Sequence, residues 1–143
     1  MVALAGASQF LIDPGGRLGI ADIEARQAEL PFAVRPPGHT VLLNDGAALW
    51  IRFAVRWPDP AGHWHLEVAL PGVDAVALYH RDAAGRWIEQ RAGDRLSQSL
   101  WPQRGRLPVL ELGAKDGLDM TYFLRVQHAR VPFSGPLFVK TET

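Results

Sequence analysis

From Ala47 to Arg56 the side chains alternate without a break. Leu49, Ile51, Phe53 and Val55 fall on one side, and Trp50, Arg52, Ala54 and Arg56 on the other. Successive side chains of an extended chain point to opposite faces, so this pattern fits a strand with one buried face and does not fit a helix. The same period returns at His63 to Leu70, where Trp64, Leu66, Val68 and Leu70 oppose His63, His65, Glu67 and Ala69. It returns again at Met120 to Gln127, where Met120, Tyr122, Leu124 and Val126 oppose Thr121, Phe123, Arg125 and Gln127. Shorter runs at Asp74 to His80, Arg86 to Gln90, Leu107 to Leu112 and Pro136 to Thr141 bring the total to about seven strands. Breakers separate them: Pro58-Asp59-Pro60-Ala61-Gly62, Pro71-Gly72, Asp82-Ala83-Ala84-Gly85 and Gly113-Ala114-Lys115-Asp116-Gly117. Half-apolar sheets must bury that half against each other. The expected fold is therefore all-β, a jelly-roll-like β-sandwich of two antiparallel sheets. Its core is expected to hold Ile51, Phe53, Val55, Leu66, Val68, Val76, Leu78, Leu124 and Val126.

Only Ile20 to Leu30 reads as helix, with Asp22 as its cap and Pro31 as its stop. It is expected to lie against an edge or end of the sandwich. Residues 1–9 read as a poorly ordered extension, a small apolar start of the kind left after a leader is removed. Residues 10–143 then form one domain, large enough to bury a core without staples.

Composition narrows the function classes. Fifteen Lys plus Arg balance fifteen Asp plus Glu, so the basic excess of a nucleic-acid binder is missing. There is no Cys, which excludes thiol chemistry, disulfides and Cys-ligated zinc. No apolar run approaches the ~18 residues that span a bilayer. The sequence has no Gly-x-Ser-x-Gly elbow, no phosphate-cradling Gly-rich loop and no His-Glu-x-x-His, so the domain is not expected to be an enzyme or to need a cofactor.

Three residue groups carry chemistry. Trp50, Trp57, Trp64, Trp87 and Trp101 are many tryptophans for this length. Flat aromatic faces suit a ligand platform, and they suit a packed core equally. Trp50 shares its face with Arg52, away from Ile51 and Phe53, and Trp101 lies in an irregular stretch where binding residues collect. Arg52 and Arg125 sit mid-strand, where a guanidinium needs a carboxylate, a ligand or water. Glu67 and Glu111 are the expected partners for a structural ion pair. If the two strands are neighbours, Trp50, Arg52 and Arg125 share the outer face of one sheet and form an exposed patch suited to a polyhydroxylated or acidic ligand. His63, His65 and Glu67 alternate on one strand face and make a metal candidate, with His128 as a distant fourth ligand; the competing reading is a solvated polar face.

The order of several segments is familiar. Ala48-Leu49-Trp50-Ile51-Arg52-Phe53 precedes Trp64-His65-Leu66-Glu67-Val68, then Pro71-Gly72-Val73-Asp74-Ala75-Val76-Ala77-Leu78-Tyr79, then Ala92-Gly93-Asp94-Arg95-Leu96, then Thr121-Tyr122-Phe123-Leu124-Arg125-Val126. This order resembles the type-two extracellular domain of bacterial seven-transmembrane receptors with diverse intracellular signalling modules. The resemblance spans roughly residues 10 to 141. It implies a carbohydrate-binding-like jelly roll in the periplasm, attached to the inner membrane through the helices of its own parent chain and followed by a diguanylate cyclase or histidine kinase output. It also implies that Trp50, Arg52 and Arg125 are recurrent positions, with Gly93 and Asp94 in a shared turn. One departure is Trp101-Pro102, where the family commonly has Arg-Pro. The expected function is thus an extracytoplasmic sensor for a small molecule, a sugar among the candidates. Two alternatives stay open, a protein-interaction or homodimerisation module without a small ligand, and a carbohydrate-active enzyme.

Overall fold

The structure is a computed structural model that describes residues 8–34, 43, 46–55, 64–68, 73–82, 84–102, 105, 107–112, 120–128 and 137–141. In chain order the elements are β1 (Gln9–Asp13), α1 (Ile20–Ala25), β2 (Ala33–Val34), β3 (Ala48–Val55), β4 (Trp64–Val68), β5 (Ala75–Arg81), β6 (Trp87–Ala92), a short 3-10 turn (Gln98–Leu100), β7 (Val109–Leu112), β8 (Met120–Gln127) and β9 (Leu137–Thr141). Two antiparallel sheets result. One has six strands in the order β2-β1-β3-β8-β5-β6, the other three in the order β7-β4-β9. The fold is the all-β sandwich that the alternation dictates.

The inner faces meet as expected. Leu49, Ile51 and Phe53 of β3, Val76 and Leu78 of β5, and Tyr122, Leu124 and Val126 of β8 pack against Leu66 and Val68 of β4 and Leu110 and Leu112 of β7. Phe53 and Tyr122, paired across β3 and β8, stack with ring centroids 5.5 Å apart. At one margin a side chain ties the sheets together. Gln90 of β6 donates from Nε2 to the Glu111 carbonyl at 2.6 Å and accepts the Glu111 N–H at 2.8 Å, standing in for a strand partner of β7.

Four expectations need correction. Gln9, assigned to the N-terminal extension, instead begins β1, which pairs with β3 from Gln9↔Arg52 to Asp13↔Ala48. Second, β2 carries no alternation of its own at two residues, so periodicity did not find it. Third, the helix stops at Ala25. Past Asp22, Glu29 N–H and Leu30 N–H both bond the Arg26 carbonyl, which closes turns and ends the helical ladder. Asp22 is not the N-cap; Gly19 is, and the Asp22 carboxylate accepts the Gly19 N–H at 2.8 Å from the third helical position. Fourth, α1 lies across a sheet face and not at an edge. Ile23, with Leu18, Ile20, Leu30 and Phe32, packs on Leu11, Trp50, Tyr79 and Phe123 on the outer face of the six-stranded sheet. Glu24 pairs with Arg81 of β5, which fixes the helix there.

Residues 14–32 therefore act as a strap that gives the large sheet a second, smaller core. The Pro58–Gly62, Pro71-Gly72 and Gly113–Gly117 turns, Val55's side chain and residues 1–7 lie outside the described residues.

Candidate functional site

Register decides which side chains share a face. Trp50 pairs with Arg125, and Arg52 with Phe123, so Trp50, Arg52 and Arg125 all stand on the outer face of the six-stranded sheet. The strap then divides that face into two halves with different fates.

On the covered half, Trp50 is 0% exposed. Its ring stacks on Tyr79 at 5.6 Å and lies beneath the strap, so it lines no groove; the exposed trio is corrected at this position. Alternation tells which face a residue takes but not what covers that face. Arg52 is half-buried and donates to Gln9 Oε1 at 2.7 Å and to Gln27 Oε1 at 3.0 Å, with its guanidinium 4.4 Å from the Phe32 ring centroid. It staples β1, the strap and β3 together. The expected partners Glu67 and Glu111 belong to the other sheet. Trp87 meets Phe123 edge-on at 6.1 Å, and the Arg81 guanidinium sits 4.2 Å over its ring, so that face is already occupied. Trp101 is buried in the main core, and its indole N–H caps the Leu96 carbonyl at 3.0 Å. Trp57 and the Trp64 side chain lie outside the described residues.

The other half of the face is open. A cleft of about 270 Å³ lies over Ala75 and Ala77 of β5, walled by Tyr79, Arg91, Arg95, Arg125 and Gln127. Its geometry follows from the strand pairing. Arg125 of β8 faces Ala77, and Ala77 faces Arg91 of β6. The three lie in one row across adjacent strands, so the two arginine Cα atoms are about 10 Å apart with only a methyl group between them. In the next row Gln127 faces Ala75. Two alanines on a central strand are what leave the space.

Arg95 reaches the same cleft from the turn after β6. That turn packs against the start of β5: Asp94 N–H bonds the Val73 carbonyl at 2.8 Å, and Arg95 N–H bonds the Asp74 carbonyl at 2.9 Å. The Arg95 guanidinium is 3.5 Å from the buried Asp74 carboxylate, which also lies 3.8 Å from His128 Nδ1. Arg125 Nη1 donates to Gln127 Oε1 at 3.2 Å, and Arg95 Nη1 donates to the same oxygen at 3.4 Å. Two guanidinium groups thus converge on one amide oxygen. Arg125 Nη2 also donates to the Gly16 carbonyl at 3.0 Å, where the strap begins. Burial first, then the hydrogen bond to Glu89, pushes the Tyr79 phenol up to about 12, so it stays a neutral hydroxyl at the cleft wall. Sequence reasoning singled out Arg125 but missed Arg91, Arg95, Tyr79 and Gln127. The alanine pair of β5, small residues between long ones on one face, is the signal that marks the cleft.

His65 and Glu67 of β4 are half-buried on the three-stranded sheet, each with a partner of its own. His63 lies outside the described residues, and among the described residues no group of three ligating side chains comes together. His128 is buried beside Asp74.

A second cleft, of about 360 Å³, opens at the margin between the sheets beside His80, Gln90 and Glu111. His80 is buried 5.5 Å from the Tyr122 ring with no partner on Nδ1, and burial lowers its pKa below the ordinary 6.5. The unfolded chain therefore takes up this proton more readily than the folded one. The His80 contribution to stability is complete above pH 6.5 and is lost as pH falls through the depressed folded value. Thermal melts across pH 7.5 to 4.5 are expected to show a decline that His80→Leu makes shallower; parallel curves for the two proteins would contradict the assignment.

Among the described residues no helix is long and apolar enough to cross a membrane. A comparison with curated proteins finds no match. The family model described as 7TMR-DISM extracellular 2 matches residues 5–137, nearly the whole chain. The chain belongs to this family, the extracellular sensor domains of membrane receptors.

Proposed function

We propose that this domain is the ligand-binding input of a bacterial membrane receptor, that it works in the periplasm, and that it takes a small polar molecule in the cleft over Ala75 and Ala77. Its parent chain would pass occupancy through membrane helices to a diguanylate cyclase or histidine kinase output. The observation that carries this reading is the two-sided use of one sheet face. The strap covers Trp50 and Phe123, while beside it Arg125, Arg91 and Gln127 line a cleft rich in hydrogen-bond donors, with buried Ala77 and Tyr79 on the border between the two. A concave site with a few convergent polar groups is the usual form of a small-molecule pocket. Arg125 touches both the cleft and the Gly16 carbonyl of the strap. A ligand that recruits this guanidinium competes with the strap contact, which gives binding a route to a conformational output.

The test is thermal stability against a panel of neutral sugars and small acids, since a ligand that binds only the folded state raises Tm. Ala75→Phe fills the cleft from its floor with a residue that strands accept. A compound that raises the Tm of the native chain by several degrees is expected to lose its effect in Ala75→Phe. A Tm rise that survives this substitution would place the ligand elsewhere. No rise with any compound, together with a concentration-dependent dimer, would favour an interaction module.

A further inference from the structure

We infer that the ligand of this cleft is a small carboxylate, gripped by Arg125 and Arg95 at the position now held by the Gln127 amide oxygen, with Arg91 at the rim. The inference rests on the reading of the cleft as a ligand site and narrows it to one chemical class.

The charge balance comes first. Among the described residues, three arginines line the cleft and no carboxylate does. Glu89 neutralises Arg91 at 2.6 Å and Asp74 neutralises Arg95 at 3.5 Å. Arg125 bonds only an amide oxygen and a backbone carbonyl among the described residues. Among the described residues the cleft lining therefore carries one positive charge in excess. A half-buried guanidinium in that condition gains from an anion more than from a neutral hydroxyl.

The second argument is geometric. Two guanidinium groups, one on β8 and one on the turn after β6, meet at a single acceptor. An amide oxygen satisfies this arrangement as a neutral acceptor, and a carboxylate oxygen satisfies it with charge. The pair Arg91–Glu89 is largely exposed, with the Arg91 side chain 65% accessible, so its ion pair contributes little and Arg91 is available to a second ligand group. The alanine floor fixes the size, because about 270 Å³ lies at the small end of ligand pockets. Tyr79, held neutral, adds a hydroxyl beside the guanidinium groups.

The experiment is titration calorimetry with galacturonate, succinate and citrate, against galactose, glucose and inorganic phosphate. At least one carboxylate is expected to bind, with the neutral sugars silent. Arg125→Gln should weaken that carboxylate roughly 10- to 100-fold, the scale of one charge-assisted pair lost. Arg125 also holds the strap, so two further variants keep the test decisive. Arg95→Lys, which keeps a positive charge beside the buried Asp74 carboxylate but loses the planar fork, should weaken binding several-fold with Tm nearly unchanged. Gln127→Glu places a tethered carboxylate on both guanidinium groups while giving up the Nε2 bond to the Gly46 carbonyl at 3.1 Å; it should abolish carboxylate binding in a chain that still folds. Equal carboxylate affinity in Gln127→Glu and the native chain would overturn the inference. Binding of a neutral sugar that Ala75→Phe abolishes and Arg125→Gln spares would also overturn it, while leaving the sensor reading intact. Phosphate binding without any carboxylate would overturn the ligand class alone. Silence of every compound would remove both.

Discussion

Trp50→Ala is expected to destabilise the domain by about 3–5 kcal/mol, the range for deleting a large buried aromatic side chain. The ring is wholly enclosed between the sheet and the strap. Its loss removes the stacking on Tyr79 at 5.6 Å and leaves Ile23 and Phe123 facing a void the size of an indole. A sheet and an irregular strap collapse poorly into such a space. Urea unfolding of the purified chain reads the loss directly, as a lower midpoint at unchanged slope. Trp50→Phe keeps most of the contact and should cost far less. Because the ring never reaches the cleft, Trp50→Phe should leave ligand affinity within twofold. A large loss of affinity with a small loss of stability would return Trp50 to the binding site.

Gly93→Ala is expected to cost about 3 kcal/mol or more, from one added methyl group. Gly93 has φ +115, a conformation that strains any other residue by about 1–3 kcal/mol. A Cβ there would stand 2.7 Å from both the Ala75 Cα and the Asp74 carbonyl oxygen. Both are backbone of β5, and neither can rotate away. Relief requires the turn to lift, which breaks the Asp94 and Arg95 amide bonds to Val73 and Asp74 and withdraws Arg95 from the cleft. Gly85 is the control. Its φ is +78, but a Cβ there meets nothing within 4 Å, so Gly85→Ala should show the strain alone. The difference between the two variants in denaturant midpoint isolates the steric share. Equal losses would mean that the turn does not press on β5. This contact also gives the Gly-Asp step a physical role, since it closes one end of the cleft.

The parts of the fold that strand alternation encodes were legible in the sequence. Leu49, Ile51 and Phe53, and likewise Tyr122, Leu124 and Val126, had to face inward, and they do. Alternation also put Trp50, Arg52 and Arg125 on one common face once β3 and β8 are neighbours. It could not show that a second layer covers half of that face. The helix starting at Ile20 was legible, but Leu18, Leu30 and Phe32 lie in the turns on either side of it, so no single period joins them to Ile20 and Ile23 as one covering layer. The cleft was hidden for a different reason. Arg95 and Arg125 meet at Gln127 only through the pairing of three strands, and Ala75 and Ala77 look unremarkable until their neighbours are known. Arg52 shows the same limit. Its acceptors are the neutral amides of Gln9 and Gln27, which a search for carboxylate partners passes over.

The central claim is that ligand enters the open half of the outer sheet face and leaves the covered half untouched. Amide NMR of the isotope-labelled chain, titrated with galacturonate and succinate, tests it most directly. The account predicts shift changes concentrated at Ala75 to Ala77, Arg91 to Leu96 and Arg125 to Gln127, extending to Gly16 through the Arg125 contact, with the amides of Trp50 and Phe123 and of β4 and β7 unmoved. Changes centred on Trp50 and the strap, or on the three-stranded sheet, would contradict it.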